Sequence, residues 1–272
     1  MPAELRPVYL DNHATTPLDP LVLKAMMPYL REEYGNPSSR THRRGRAAAE
    51  AMDGARVLTA RMLGVRPEEI FFTSGATEAN NIAIKGLARA RSKKGHLIAL
   101  SIEHKSILDP LRRLEMDGHT ITLVSAGRTG VVDPGAIQAA LRPDTFLVCV
   151  MAANNEIGTV QPVADIARLC RRQGVPVLCD AVQAAGKLDL RKLCAGADLL
   201  TLSAHKFHGP KGVGVLAIRG GLARLNVVPL FDGGSQERGL RSGTPNVAGV
   251  VGMGEASRLA VRRLAADRKG LL

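Results

Sequence analysis

Ala197-Asp-Leu-Leu-Thr-Leu202, continuing as Ser203-Ala-His-Lys-Phe-His-Gly-Pro-Lys-Gly212, is the stretch from which the rest of the chain is best read. An apolar, strand-like run delivers Lys206 into a setting of one hydroxyl, two imidazoles and a Gly-Pro turn. An amine held at a strand end can form a Schiff base with a carbonyl. The alternative is a surface loop with a solvated lysine, and the flanking sequence decides between them.

Working outward, apolar runs recur at Ile70 to Thr73, Leu97 to Ser101, Thr120 to Val124, Phe146 to Ala152, Val175 to Cys179 and Leu199 to Leu202. Helical patterns fill most of the gaps, at Ala79 to Arg91, Ile107 to Met116 and Ala164 to Arg172. Two helices are expected before the first strand, Leu21 to Tyr34 and His42 to about Leu63, and one after the last, from about Ala248. Gly212 to Ile218 reads as a further strand. Uninterrupted apolar strands separated by helices predict an α/β fold, a mainly parallel sheet with helices on both faces. Ligands bind such sheets beyond the carboxyl ends of the strands.

The 272 residues suffice for one large domain or two modest ones. Charge is +12, mostly from arginine, without tryptophan or a nucleic-acid-binding motif, so the basic balance reads as a solvated surface or a site for acidic partners. The four cysteines, at 149, 170, 179 and 194, show neither C-x-x-C spacing nor paired histidines, which argues against a metal site. No apolar run approaches the roughly 20 residues of a membrane span, and Met1 to Pro7 does not read as a targeting segment. A cytoplasmic protein is expected.

Polar motifs gather where strands end. Thr73-Ser-Gly-Ala-Thr-Glu78 joins a strand to a helix through small residues, offering free backbone N–H groups at the helix N-terminus and the Thr77 hydroxyl to an anion. An ordinary capped helix start would look similar. Asp180 closes the strand of Val177-Leu-Cys-Asp-Ala-Val-Gln183, where a carboxylate needs a cationic partner, and Gln183 can present an amide to the same ligand. A helix N-cap is the simpler reading of that aspartate. Ala153-Asn-Asn-Glu-Ile-Gly158 ends a third strand with Asn155, and Glu103-His-Lys-Ser106 ends a fourth with His104, a candidate for proton transfer.

Tyr-Leu-Asp-Asn-His-Ala-Thr-Thr-Pro17, Thr-Ser-Gly-Ala-Thr-Glu78, Glu103-His-Lys, Asn154-Asn-Glu-Ile-Gly, Asp180-Ala-Val-Gln, Ser203-Ala-His-Lys and Leu240-Arg-Ser-Gly-Thr-Pro245 resemble, in order and spacing, the cysteine desulfurases, pyridoxal phosphate (PLP) enzymes of the class-V aminotransferase group. The resemblance runs from Val8 to about Ala256. It implies the large domain of the type I PLP-dependent transferase fold over residues 16–256. Residues 1–15 would be a segment associated with a small domain, and residues 257–272 the start of a helix leading to that domain. By the same resemblance Lys206 would hold PLP as a Schiff base and Asp180 would pair with its ring nitrogen. Gln183 would bond the ring oxygen, Asn155 would approach ring and substrate, and His104 would stack on the ring and assist proton transfers. Ala76, Thr77, Ser203 and His205 would bind the phosphate, with Thr244 reaching the phosphate of a second copy in a homodimer.

The implied reaction converts L-cysteine to L-alanine and passes sulfur to an enzyme thiolate, serving iron–sulfur cluster or thio-cofactor assembly through acceptor or scaffold proteins. A selenocysteine lyase, another class-V PLP enzyme, or a PLP-binding scaffold without turnover would carry the same motifs. The nucleophilic cysteine and the carboxylate-binding arginine of the resemblance lie after the lysine, in the small domain. Here all four cysteines precede Lys206, and Cys149, Cys170, Cys179 and Cys194 read as packed thiols. The expectation is a large domain, truncated or completed by a separate chain, that binds PLP and desulfurates poorly alone.

Overall fold

The computed structural model describes residues 8–270, with side chains described to residue 266. Residues 1–7 of the expected N-terminal segment and residues 271–272 of the expected closing helix lie outside the described residues.

The described residues open with a strap, 8–19, that turns at 12–14, followed by two helices, α1 (Pro20–Arg31) and α2 (Arg43–Leu63). Asp19 caps α1, its Oδ1 accepting from Leu21 N at 2.8 Å, and Pro20 enters the first turn. The helix stops three residues short of the expected Tyr34, whose side chain turns toward α2. Its hydroxyl accepts from Arg44 at 2.5 Å, and the Arg44 guanidinium lies 4.7 Å from its ring centre. Then follow β1 (Ile70–Thr73), α3 (Ala76–Arg89), β2 (His96–Leu100), α4 (Lys105–Met116), β3 (Thr120–Val124) and α5 (Pro134–Ala140). The remainder is β4 (Thr145–Met151), α6 (Val163–Arg172), β5 (Val177–Asp180), α7 (Leu190–Leu193), β6 (Leu199–Ser203), β7 (Gly214–Ile218) and α8 (Val247–Gly270). The short α5 and α7 were not foreseen, having too few turns to show a period.

The seven strands form one sheet in the order β1-β7-β6-β5-β4-β2-β3. Only β7 runs against the others, pairing antiparallel with both β1 and β6. The link from β6 to β7 is a tight turn, too short for the crossover that parallel pairing needs. Side chains alternate between two apolar layers: Val148, Val150, Val177, Cys179, Leu200 and Leu202 face one side, and Leu147, Cys149, Leu178 and Leu199 the other. Burial on both faces explains why these strands read as unbroken apolar runs. β3, at the edge, leaves Leu123 exposed.

Six strands thus end on one side of the sheet. Gly214 is required there: a Cβ on it would stand 2.6 Å from the Gly75 backbone and from the Leu202 carbonyl oxygen. The bare backbone lets β7 pass directly under the β1–α3 turn.

Candidate active site

A cleft of about 670 Å³ opens at the carboxyl ends of β1, β2, β4, β5 and β6. Its walls include Lys206, Asp180, His104, Asn155 and Gln183. Ala76, Thr77, Ser203 and His205 line it as well. One cavity therefore gathers every residue singled out from the sequence except Thr244. Thr244 is exposed and borders a separate hollow with Glu237 and Val250.

Lys206 ends a single 3-10 turn, Ala204–Lys206, immediately after β6. Its Nζ donates to the His13 carbonyl at 2.5 Å, and Gln183 Nε2 donates to the same oxygen at 3.0 Å. The strap is stitched to this turn: Thr16 N and Oγ1 donate to the His205 carbonyl at 2.8 and 2.9 Å, and His208 N donates to Thr16 Oγ1 at 2.7 Å. Burial pushes the Lys206 amine below the ordinary lysine range, opposed by the charges of Asp180 and Asp11. A lysine so placed yields its free amine more readily than a solvated one.

Asp180 is the last residue of β5 and is 7% exposed. It does not cap a helix; turns follow it, Val182 N donating to Oδ1 at 3.1 Å, while Asn80 Nδ2 donates to Oδ2 at 3.0 Å. Burial raises its pKa, against those two donors and the charges of His104 and Lys206. Each oxygen keeps a lone pair free for one more donor.

Helix α3 begins at Ala76, and its Gly75 cap supplies no side-chain acceptor. The first amides of a helix have no intrahelical partner, so they face the cleft as donors to an anion. Lys211 and Gly212 extend this wall. His104 caps α4, Nδ1 accepting from Ser106 N at 3.1 Å. Asn155 Nδ2 donates to Glu156 at 2.6 Å, while Gln183 Oε1 is buried without a donor.

This arrangement fits PLP: a cradle of free helix amides for the phosphate, a buried carboxylate short of a cation for the ring nitrogen, an unpartnered amide oxygen, and an amine of lowered pKa. No cluster able to hold a metal ion occurs among the described residues, and no helix among them is long and apolar enough to cross a membrane.

Sequence reasoning assigned no role to Asp11, His13 or Ser106, though all three line the cleft, nor to Asn80 and Thr201 behind it. Asn80 had a signal: a fully buried amide among Ala79, Ile82 and Ala83 on the inward face of α3. Glu103 also went unassigned. It is 5% exposed, accepts from Met151 N at 2.6 Å through Oε1, and leaves Oε2 buried without a partner. Burial, then the charge of Asp180, pushes its pKa well up. The folded state thus holds a proton that the unfolded chain releases above about pH 4.5. Stability tied to this proton is complete below that pH and is lost as pH rises through the raised native value. Glu103→Gln should therefore flatten the decline in stability above about pH 5, by up to about 1.4 kcal/mol per pH unit. Parallel pH profiles of denaturant-derived stability for the two proteins would refute this.

The four cysteines are buried and none lines the cleft. Burial pushes the Cys170 thiol up to about 12 and the Cys149 thiol well above its ordinary value, so these sulfurs stay protonated and poorly nucleophilic.

The aminotransferase class-V family matches residues 8–268. The cysteine desulfurase IscS of Anaeromyxobacter dehalogenans (strain 2CP-C) is 50% identical over 255 residues, covering 93% of this chain and 63% of that protein. The cysteine desulfurase of Homo sapiens is 50% identical over 266 residues, covering 97% of this chain and 58% of that one. The chain thus spans less than two thirds of the length of these curated relatives. Among solved structures, a NifS-like protein superposes with a TM-score of 0.91 at 46% identity, over 96% of this chain and 72% of the other. SspA, solved in complex with cysteine, gives 0.87 at 41% identity, over 92% and 72%. The mostly parallel sheet is that of the type I PLP-dependent fold, and the class-V family is PLP-dependent. By sequence over nearly its whole length, and by the fold that places lysine, aspartate and helix amides around one cleft, the chain belongs to the aminotransferase class-V family.

Proposed function

We propose that this chain provides the PLP-holding and substrate-activating part of a cysteine desulfurase, converting L-cysteine to L-alanine with its sulfur passed to a thiolate. The observation that carries the proposal is the pairing of Lys206 and Asp180 in one cleft, each sensing the other's charge, beside a helix N-terminus with free amides.

When bound, PLP supplies a carbonyl conjugated to a pyridine ring that withdraws electrons from the substrate's α-carbon. Lys206 Nζ would hold that carbonyl and would be placed to move a proton at the substrate's α-carbon. The Asp180 carboxylate would pair with the ring nitrogen and favour its protonated form, and its burial keeps competing water away. The amides of Ala76 and Thr77, with Ser203 and His205, bind the phosphate. His104 and Asn155 flank the ring and substrate, and Gln183 addresses the ring oxygen. The sulfur-accepting thiolate is none of the four buried cysteines.

The reading extends to a homodimer, with Thr244 serving the neighbouring copy's phosphate. It extends also to sulfur-acceptor proteins as partners and to a reducing cytoplasm, where Cys179 and Cys194, with sulfurs 3.7 Å apart, remain thiols. The 50% identity to cysteine desulfurases supports the choice of substrate. The test is to load the chain with PLP, follow its visible absorbance on adding L-cysteine, and assay alanine with a dithiol as sulfur acceptor. A cysteine-dependent spectral change with alanine release is expected, slow in this chain alone. An unaltered spectrum with cysteine overturns the reading.

A further inference from the structure

Behind the cleft a line of hydrogen bonds joins Asp180 to His104. Asn80 is fully buried on α3, and its Nδ2 donates twice, to Asp180 Oδ2 at 3.0 Å and to Ser106 Oγ at 2.9 Å. Its Oδ1 accepts from Thr201 Oγ1 on β6 at 2.8 Å. The amide has one consistent orientation, because the reverse would set its oxygen against a carboxylate oxygen. With Asn80 donating into Ser106 Oγ, the hydroxyl proton is directed onward to His104 Nδ1, 2.8 Å away. The Ser106 backbone N–H points at the same nitrogen from 3.1 Å. A backbone amide can only donate, so Nδ1 carries the lone pair and the ring proton sits on Nε2, the nitrogen left to the cleft that His104 lines.

We propose that Asn80 is a positioning residue which, through Ser106, fixes His104 as the Nε2–H tautomer while the same amide orients the Asp180 carboxylate, so that the acid and the imidazole on the cleft wall are held as one unit. An N-cap role for His104 explains the bond from Ser106 N but not the Ser106 Oγ–Asn80–Asp180 extension, which capping does not need. A proton placed on Nδ1 would confront the Ser106 amide and hydroxyl protons, so His104 exchanges protons with the cleft through Nε2 alone. The groups facing this line are Asp180 and Lys206 across the cleft, with Glu103 beside Asp180. The proposal rests on the desulfurase reading for its use in catalysis, though not for its geometry.

The experiment is nitrogen NMR of the chain labelled with 15N-histidine, with and without PLP, the His104 signals being assigned by their disappearance in His104→Gln. The native chain is expected to show protonated Nε2 and bare Nδ1, already without PLP. Ser106→Ala, which keeps the Asn80–Asp180 bond and leaves the backbone amide as the one donor to Nδ1, should shift the balance part of the way toward Nδ1–H, with PLP affinity nearly unchanged. Asn80→Ala should give the same shift and also weaken PLP binding roughly tenfold or more, the scale of one hydrogen bond to a charged group. If Asn80→Ala does not fold, Thr201→Val, which frees the other end of the same amide, should give both effects in weaker form. A native Nδ1–H tautomer, or a His104 signal unmoved by Ser106→Ala, overturns the proposal. Failure of PLP to bind at all would instead count against the proposed function, since the tautomer is read in the unloaded chain.

Discussion

Lys206→Ala is expected to abolish the visible absorbance of lysine-bound PLP and to lower cysteine-dependent alanine release by about 100- to 10,000-fold, the range lost with an acid–base group alone. The native amine is held at 2.5 Å from the His13 carbonyl at the strand end, and its lowered pKa makes the neutral form accessible. Alanine removes the lysine that ends the 3-10 turn after β6. The phosphate cradle and Asp180 remain, so PLP should still bind, but reversibly and with the spectrum of the free aldehyde. Spectrophotometry after gel filtration separates the outcomes. A variant that keeps the native band would show that another amine holds the cofactor. The nearest candidate would be Lys211, which shares the cleft, or Lys187, whose pKa is also lowered by burial and by Lys206.

Glu237→Ala is expected to destabilise the fold by about 3–5 kcal/mol, the cost of leaving one member of a buried ion pair alone. Glu237 accepts from Arg56 at 2.8 and 2.9 Å and from Phe72 N at 2.8 Å, the side chains being 4% and 10% exposed for Glu237 and Arg56. Arg56 also donates to the Ile70 carbonyl at 2.6 Å and lies 4.8 Å from the Phe72 ring centre. This clamp anchors a turn in which Ser235, Glu237 and Arg238 all take left-handed φ values of 59°, 46° and 56°. Such backbone is held only when its surroundings over-determine it. Guanidinium unfolding at constant slope gives the loss directly. Glu237→Gln, which keeps the shape and part of the bonding, should lose about 1–3 kcal/mol. A loss below about 1 kcal/mol for the alanine variant would show the pair to be energetically neutral. Because the turn leads into Arg241-Ser-Gly-Thr244, its release should also disturb the segment proposed to serve the second copy.

Six of the expected strands match β1 to β6 to within two residues at either end, and the longer helices between them, α3, α4 and α6, were equally visible. Each strand is buried on both faces, so its apolar run is unbroken, and each long helix carries an apolar stripe with the right period. The reversal of β7 was not visible, because an isolated apolar run does not state its direction. What revealed it was its antiparallel pairing with both β1 and β6. Asp180 shows the same limit. Its position at a strand end was evident, but a cap and a ligand-facing carboxylate are identical in sequence, and only the turns after it in space separate the two.

The sequence by itself determined the α/β sheet, the alternation that brings strand ends to one edge, and the set of lysine, aspartate, amides and imidazole placed there. These depend on local periodicity and on residue type, which are written in order along the chain. Only the tertiary structure decided which of those groups share a cleft in one chain, that Thr244 does not, that the strap carries His13 onto Lys206, and that Asn80 ties Asp180 to His104. Those rest on contacts between residues from 26 to 193 positions apart, and no periodicity records them. Their geometry is set by how two apolar layers close on a twisted sheet, a property of the packed whole rather than of any segment.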